Sequence, residues 1–133
     1  DTVDIYPETR EGMVELIKKI RKNYPHIYIL INRGFSIIEE VIPFVDGILW
    51  ENFSTFYDGK DKRYYPFKGG EFYWTEQMAR KIKLLQKRYS LQVLVLDYAS
   101  PLDKNLRKFA EERAERYGFV PYISTINLEE IYE

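Results

Sequence analysis

The strongest constraint on this chain is a series of short, nearly continuous apolar runs, each separated from the next by a stretch with helical spacing. The runs are Ile-Tyr-Ile-Leu-Ile at 27–31, Gly-Ile-Leu-Trp at 47–50, Gln-Val-Leu-Val-Leu at 92–96 and Phe-Val-Pro-Tyr-Ile at 119–123. A strand that is apolar on both faces has to be covered on both, and parallel strands are the ones that meet this condition. Between the runs, Met13, Leu16, Ile17 and Ile20 recur at helical spacing, as do Leu106, Phe109, Ala110 and Ala114. Helices are therefore predicted over 10–23, 36–44, 75–89 and 102–117, with a short one at 128–132. Thr9 is the expected N-cap of the first helix, and Gly118 ends the fourth.

Residues 1–8 read as the end of an earlier strand passing into a loop. Strict strand–helix alternation gives an α/β fold with a parallel sheet and right-handed crossovers. We read residues 1–133 as a single β/α unit, strands four to eight of a (β/α)8 TIM barrel. An open doubly wound sheet is the alternative. Because the sequence starts at Asp1, mid-element and without Met, we expect a segment excised from, or completed by, an N-terminal half. A half barrel exposes a core face and two sheet edges, so the missing half or a second copy of the chain is the expected partner.

Composition narrows function mainly by exclusion. A formal net charge of −1 gives no electrostatic case for nucleic acid or for anionic lipid. No apolar run approaches the roughly 20 residues that span a bilayer. With Cys at 0, there is no disulfide framework, thiolate nucleophile or zinc-finger pattern. The compartment is not encoded in these residues; a secreted or cell-surface location is kept as an expectation. Aromatic residues are abundant at 17%, with 12 Tyr and 8 Phe, a composition that suits ligands with polar and apolar faces.

Polar residues gather where the apolar runs end. The predicted strand tips carry, in order, Asp1 with Asp4 just beyond, Asn32 and Arg33, Glu51, Asp97 and Tyr98, then Tyr122 and Ser124. In α/β folds this rim is where chemistry is done. If one strand separates Asp1 from Glu51, their backbones stand about 9–10 Å apart. Inward side chains shorten that to the roughly 5–9.5 Å used by carboxylate pairs in glycoside hydrolysis. One acid would be held protonated for the leaving group and the other ionised as nucleophile or base. The bland reading of each acid is a cap for the helix that follows.

The connection at 52–73 is long for such a fold and, with Trp74 next to it, brings nine aromatics together. We expect most of them to form a local core, leaving Tyr57, Tyr64 and Trp74 as platforms for sugar rings. Asp1, Glu51 and Asp97 could instead hold a hard cation such as Mg²⁺, the minor reading; no metal or cofactor is expected. His26 precedes its strand, at the end away from the tips, so a Ser-His-Asp arrangement has no support. Gly69-Gly70 follows no strand and is not a phosphate loop.

The ordered motifs Asp1-Thr2-Val3-Asp4, Asn32-Arg33-Gly34-Phe35, Asp46-Gly47-Ile48-Leu49-Trp50-Glu51-Asn52-Phe53, Leu96-Asp97-Tyr98 and Gly118-Phe119-Val120-Pro121-Tyr122 resemble glycoside hydrolase family 114. This is the endo-α-1,4-polygalactosaminidase-like group of (β/α)8 barrels, some of whose members carry a label relating them to cysteinyl-tRNA synthetase. The resemblance covers the chain as the C-terminal half of that domain. It implies a polysaccharide substrate containing galactosamine, with Asp1 and Glu51 as the catalytic pair. On that basis Asp4, Asn32, Asp97 and Tyr98 are expected to position substrate, with Tyr57 and Trp74 as further contacts. The alternatives are a non-catalytic carbohydrate-binding barrel and an open-sheet interaction domain.

Overall fold

A computed structural model describes residue 6 and residues 8–129. The expected first strand, with Asp1 and Asp4, lies outside the described residues, and so does most of the helix expected at 128–132. Leu128 and Glu129 themselves are not helical.

Helix α1 is Glu8–Asn23, followed by strand β1, Leu30–Asn32. Thr9 lies inside the first turn of α1 and donates to the Tyr6 carbonyl, so it is not the cap. The ladder of β1 starts later than the apolar run because a side chain holds the segment before it. Asp46 Oδ2 accepts the Ile29 N–H at 2.7 Å and pairs with Arg21, whose guanidinium also takes the carbonyls of Pro25, Ile27 and Phe44. Helix α2 is only Ile38–Val41, continued by a 3-10 turn, Ile42–Phe44. Pro43 has no N–H to extend an α-helix, so the last turn tightens.

Strand β2, Gly47–Glu51, is followed by a feature not expected from the sequence. Within the long connection, β3 (Thr55–Asp58) and β4 (Arg63–Pro66) form an antiparallel hairpin. Asp58 and Asp61 each accept the backbone N–H two residues on, which bends the chain at the tip. Helix α3 runs from Gly69 to Tyr89, beginning six residues before the predicted start at 75. The Phe72 ring lies against the buried guanidinium of Arg113 at 4.2 Å, a tertiary anchor that outweighs the poor helix propensity of Gly69-Gly70. Strand β5 (Gln92–Tyr98), helix α4 (Lys104–Tyr117) and strand β6 (Val120–Ser124) complete the order. Gly118 adopts φ 73° and closes α4, as its position predicts.

The four long-range strands are all parallel and pair in the order β1-β2-β5-β6. Spatial order follows chain order without the reversal that a doubly wound sheet requires, so the sheet is wound in one direction, as in a barrel. Packing says the same. Val14 and Ile17 of α1, Ile38 and Val41 of α2, Ala79 and Ile82 of α3, and Ala114 of α4 share one core with Ile48, Trp50, Val93 and Val95. Side chains alternate along a strand, so Leu30, Leu49, Leu94 and Tyr122 belong to the other face. Leu30, Val120 and Tyr122 are exposed there. Toward the strand tips the same face is closed: Leu96, Tyr98 and Ser124 are buried.

Gly47 shows how tightly the base of β2 is packed. A methyl group there would lie 2.8 Å from the Tyr28 hydroxyl and 2.9 Å from both the Gln92 carbonyl oxygen and Leu30 Cδ1. The carbonyl belongs to the neighbouring strand and cannot swing away. Gly47→Ala is expected to destabilise the protein by ~1–3 kcal/mol, measured by urea denaturation, through strain at the β2–β5 pairing.

Candidate active site

The rim at the C-terminal ends of β1, β2 and β5 is built by a repeated device. Both β1 and β2 end on a residue in the left-handed region, Arg33 at φ 59° and Asn52 at φ 57°. Each still donates its N–H to the neighbouring strand, Arg33 to Leu49 O at 2.7 Å and Asn52 to Leu96 O at 2.9 Å. The ladder is thus completed and the chain then leaves the sheet abruptly, presenting Asn32 and Glu51 at a fixed edge.

Strand register decides which tip residues share a face. Asn32 pairs with Leu49, Glu51 with Leu96, and Tyr98 with Ser124. Asn32, Glu51, Tyr98 and Ser124 therefore project from the open face of the sheet. Glu51, on the middle strand of the first three, is contacted from both neighbours. Tyr98 donates its hydroxyl to Glu51 Oε1 at 2.6 Å, and the Asn32 amide nitrogen stands 3.5 Å from Oε2. Burial, and then the bond to Glu51, push the Tyr98 phenol well above its ordinary range, so it remains a protonated donor.

Asp97 is placed differently. It alternates with Val93 and Val95 of the helix-side core and is fully buried on that side. Its Oδ1 accepts the N–H groups of Ser54 at 2.7 Å and Thr55 at 2.9 Å. Asp97, expected to position substrate, thus fixes the corner after Glu51 from the helix side of the sheet. Glu51 and Asp97 likewise cannot share one cation, and no cluster of three metal-ligating side chains occurs among the described residues. Burial raises the Asp97 carboxyl from 3.8 to about 6, although the backbone donors at 53–55 work against that rise.

The same corner is held from above by Arg113, which sequence reasoning passed over. Its Nη1 donates to the Phe53 carbonyl at 2.6 Å and its Nη2 to Thr75 Oγ1 at 2.7 Å. Nε and Nη2 both reach Glu76 Oε1, at 3.0 and 2.9 Å, while Tyr117 donates to Glu76 Oε2 at 2.5 Å. Burial alone would raise the Glu76 carboxyl; the bonds from Tyr117 and Arg113 outweigh it and hold the group below its usual range. A signal was present in the sequence: Arg113 stands three residues after Ala110 and seven after Leu106, on the apolar stripe of α4.

The aromatic candidates divide. Tyr57 faces Tyr64 across the hairpin, ring centroids 5.0 Å apart. Tyr64 also packs on the cluster of Ala99, Leu106, Ala110 and Ile123, and its hydroxyl accepts the Ile126 N–H. Phe56 stacks on Phe67 at 5.2 Å. Trp74 is 43% exposed, edge-on to Phe35 and Trp50, and lines a cleft of about 400 Å³ beside the tips of β1 and β2 with Arg33, Asn52, Phe67, Glu71 and Thr75. Asp1 and Asp4 lie outside the described residues, so the carboxylate proposed to face Glu51 has no described position.

Two measurements check this architecture. Arg113→Ala leaves Glu76 partly buried without its cation and the Phe53 carbonyl without a donor, and is expected to cost ~3–5 kcal/mol in urea denaturation. For Asp97, between pH 3.8 and about 6 the unfolded chain ionises this group while the folded chain keeps it protonated. Stability from this residue is therefore present below that window and lost as pH rises through it. The stability of wild type relative to Asp97→Asn is expected to fall by ~2 kcal/mol from pH 4 to pH 6.5, because the window is entered just above its lower edge and each unit within it carries ~1.4 kcal/mol.

Neither a protein-family model nor a curated protein matches the chain at a significant level. Among solved structures, the glycoside hydrolase domain of PelA from Pseudomonas aeruginosa superposes with a TM-score of 0.72 at 19% identity, over 93% of this chain and 47% of that one. A glutamate-to-alanine variant of the same domain gives 0.71 at 18% identity, over the same shares. The chain thus spans about half the length of these structures, and at this identity the likeness is one of fold. This chain has a glycoside hydrolase-like fold and forms part of a β/α barrel.

Proposed function

We propose that this chain is the second half of a glycoside hydrolase barrel of the family 114 type, cleaving a polysaccharide that contains α-1,4-linked galactosamine. The observation that carries the reading is the carboxylate of Glu51. It stands at the tip of a central parallel strand, on the open face, between Tyr98 and Asn32, on a fold shared with a glycoside hydrolase domain.

Glycosidic cleavage needs two carboxyl groups in different protonation states. Glu51 is assigned as acid/base and Asp1 as its partner, with Asp4 and Asn32 contacting sugar hydroxyls. Tyr57 and Trp74 remain the proposed aromatic contacts. Completion of the barrel by the other half is part of the proposal, because the open face is one wall of the site.

The test uses the full-length protein and a de-N-acetylated α-1,4-galactosamine polymer, with release of reducing ends as the readout. Glu51→Gln is expected to lower kcat by ~10²–10⁴-fold while polymer binding persists. Wild-type cleavage by this variant would sink the assignment. Binding without cleavage by the wild type would instead mark a non-catalytic carbohydrate-binding barrel.

A further inference from the structure

We propose that Tyr98 is the positioning residue for Glu51: its hydroxyl fixes Oε1 and leaves Oε2 as the oxygen that does chemistry on the open face. This rests on the glycosidase reading above, and it moves Tyr98 from contacting substrate to orienting the carboxylate.

The two carboxylate oxygens of Glu51 are held asymmetrically. Oε1 accepts a short bond, 2.6 Å, from a phenol that is 4% exposed. That length is in the range of charge-assisted O–H···O⁻ bonds. Among the described residues, Oε2 has only the Asn32 amide at 3.5 Å, the outer limit of a hydrogen bond, and Asn32 is exposed. A carboxylate with one oxygen pinned and the other nearly free has its plane fixed and presents a single oxygen outward.

Tyr98 is itself held rigidly. Its backbone N–H donates to Thr55 Oγ1 at 2.9 Å, and the preceding residue, Asp97, accepts the N–H groups of Ser54 and Thr55. Asn52 N–H donates to Leu96 O in the same stretch. The tip of β5 therefore grips the chain on both sides of the turn at 52–53, once through the Glu51 side chain and again through the backbone at 54–55. The distance between the phenol oxygen and the Glu51 backbone is set by this closed circuit, so the bond does not depend on substrate to form. Such pre-positioning matters because an acid or base must stand within hydrogen-bond reach of the atom it serves.

The electrostatics agree with the geometry. The charged neighbours of the phenol are Glu51 on its own face and Asp97 on the other, and both favour the protonated phenol.

The test is Tyr98→Phe in the full-length protein, which keeps the ring and deletes the hydroxyl. Expected are a ~10–100-fold fall in kcat with KM within about two-fold, a split that marks a misplaced reacting carboxylate rather than lost substrate binding. An unchanged kcat, or a KM that rises as far as kcat falls, overturns the proposal. Where Tyr98→Phe does not fold, 3-fluorotyrosine at position 98 keeps the hydroxyl as a donor, and kcat is expected to stay within about three-fold of the wild type; a fall of about ten-fold or more overturns it. Proton NMR reads the contact without turnover: the Tyr98 hydroxyl proton is protected from exchange in the wild type and loses that protection in Glu51→Ala. Rapid exchange in the wild type contradicts the proposal on its own, whereas a protected proton in a protein that cleaves no polymer removes the glycosidase reading instead.

Discussion

The buried guanidinium of Arg113 fixes the one corner on which the site depends. At residues 53–55 the chain has just left β2 and must turn toward the hairpin, with the Phe53 carbonyl and the Ser54 and Thr55 N–H groups removed from water. Arg113 satisfies the carbonyl and Asp97 satisfies both N–H groups, from opposite ends of the corner. Unpaired, such groups would each cost about 1–3 kcal/mol. Arg113 is 1% exposed and is itself compensated by Glu76, by the Thr75 hydroxyl and by the rings of Phe53 and Phe72, each 4.2 Å away. One charged residue on α4 thereby ties together the loop after β2, the start of α3 and the helix-side core.

Strand parity explains why such similar tip residues have different roles. On β5, Asp97 and Tyr98 are adjacent, yet one faces the helices and the other the open side. The helix-facing carboxylate is built into the scaffold, where burial raises it to about 6. The residues on the open side meet at Glu51. Structure and proposed chemistry are thus divided between the two faces of one sheet, with the corner at 53–55 coupling them. The apolar residues of the open face, Leu30, Val120 and Tyr122, form the wall that a complete barrel would enclose.

Much of this was legible in the sequence, for identifiable reasons. Continuous apolar runs and helical stripes have few alternatives, so the order of β1, α3, β5, α4 and β6 and the position of Glu51 at a tip could be read directly. The face of Asp97 was legible too, by counting from Val93 and Val95, but reading every tip acid as part of the rim obscured it. The hairpin was hidden because its aromatics resemble a loop core; the alternation Phe56, Tyr57 against Tyr64, Tyr65 around Asp58 and Asp61 is the pattern that marks it. Arg113 was hidden because a charged residue on an apolar stripe is normally solvated, and only tertiary contacts show what compensates it.

The central claim is that the open face at Glu51 is where a sugar polymer reacts. A crystal structure of the full-length Glu51→Gln protein with an α-1,4-galactosamine oligosaccharide tests it most directly. A glycosidic oxygen is expected within hydrogen-bond reach, roughly 2.6–3.2 Å, of the residue 51 side chain on the open face. An oligosaccharide seated on the helix side of the sheet, or with its linkages far from residue 51, would contradict it.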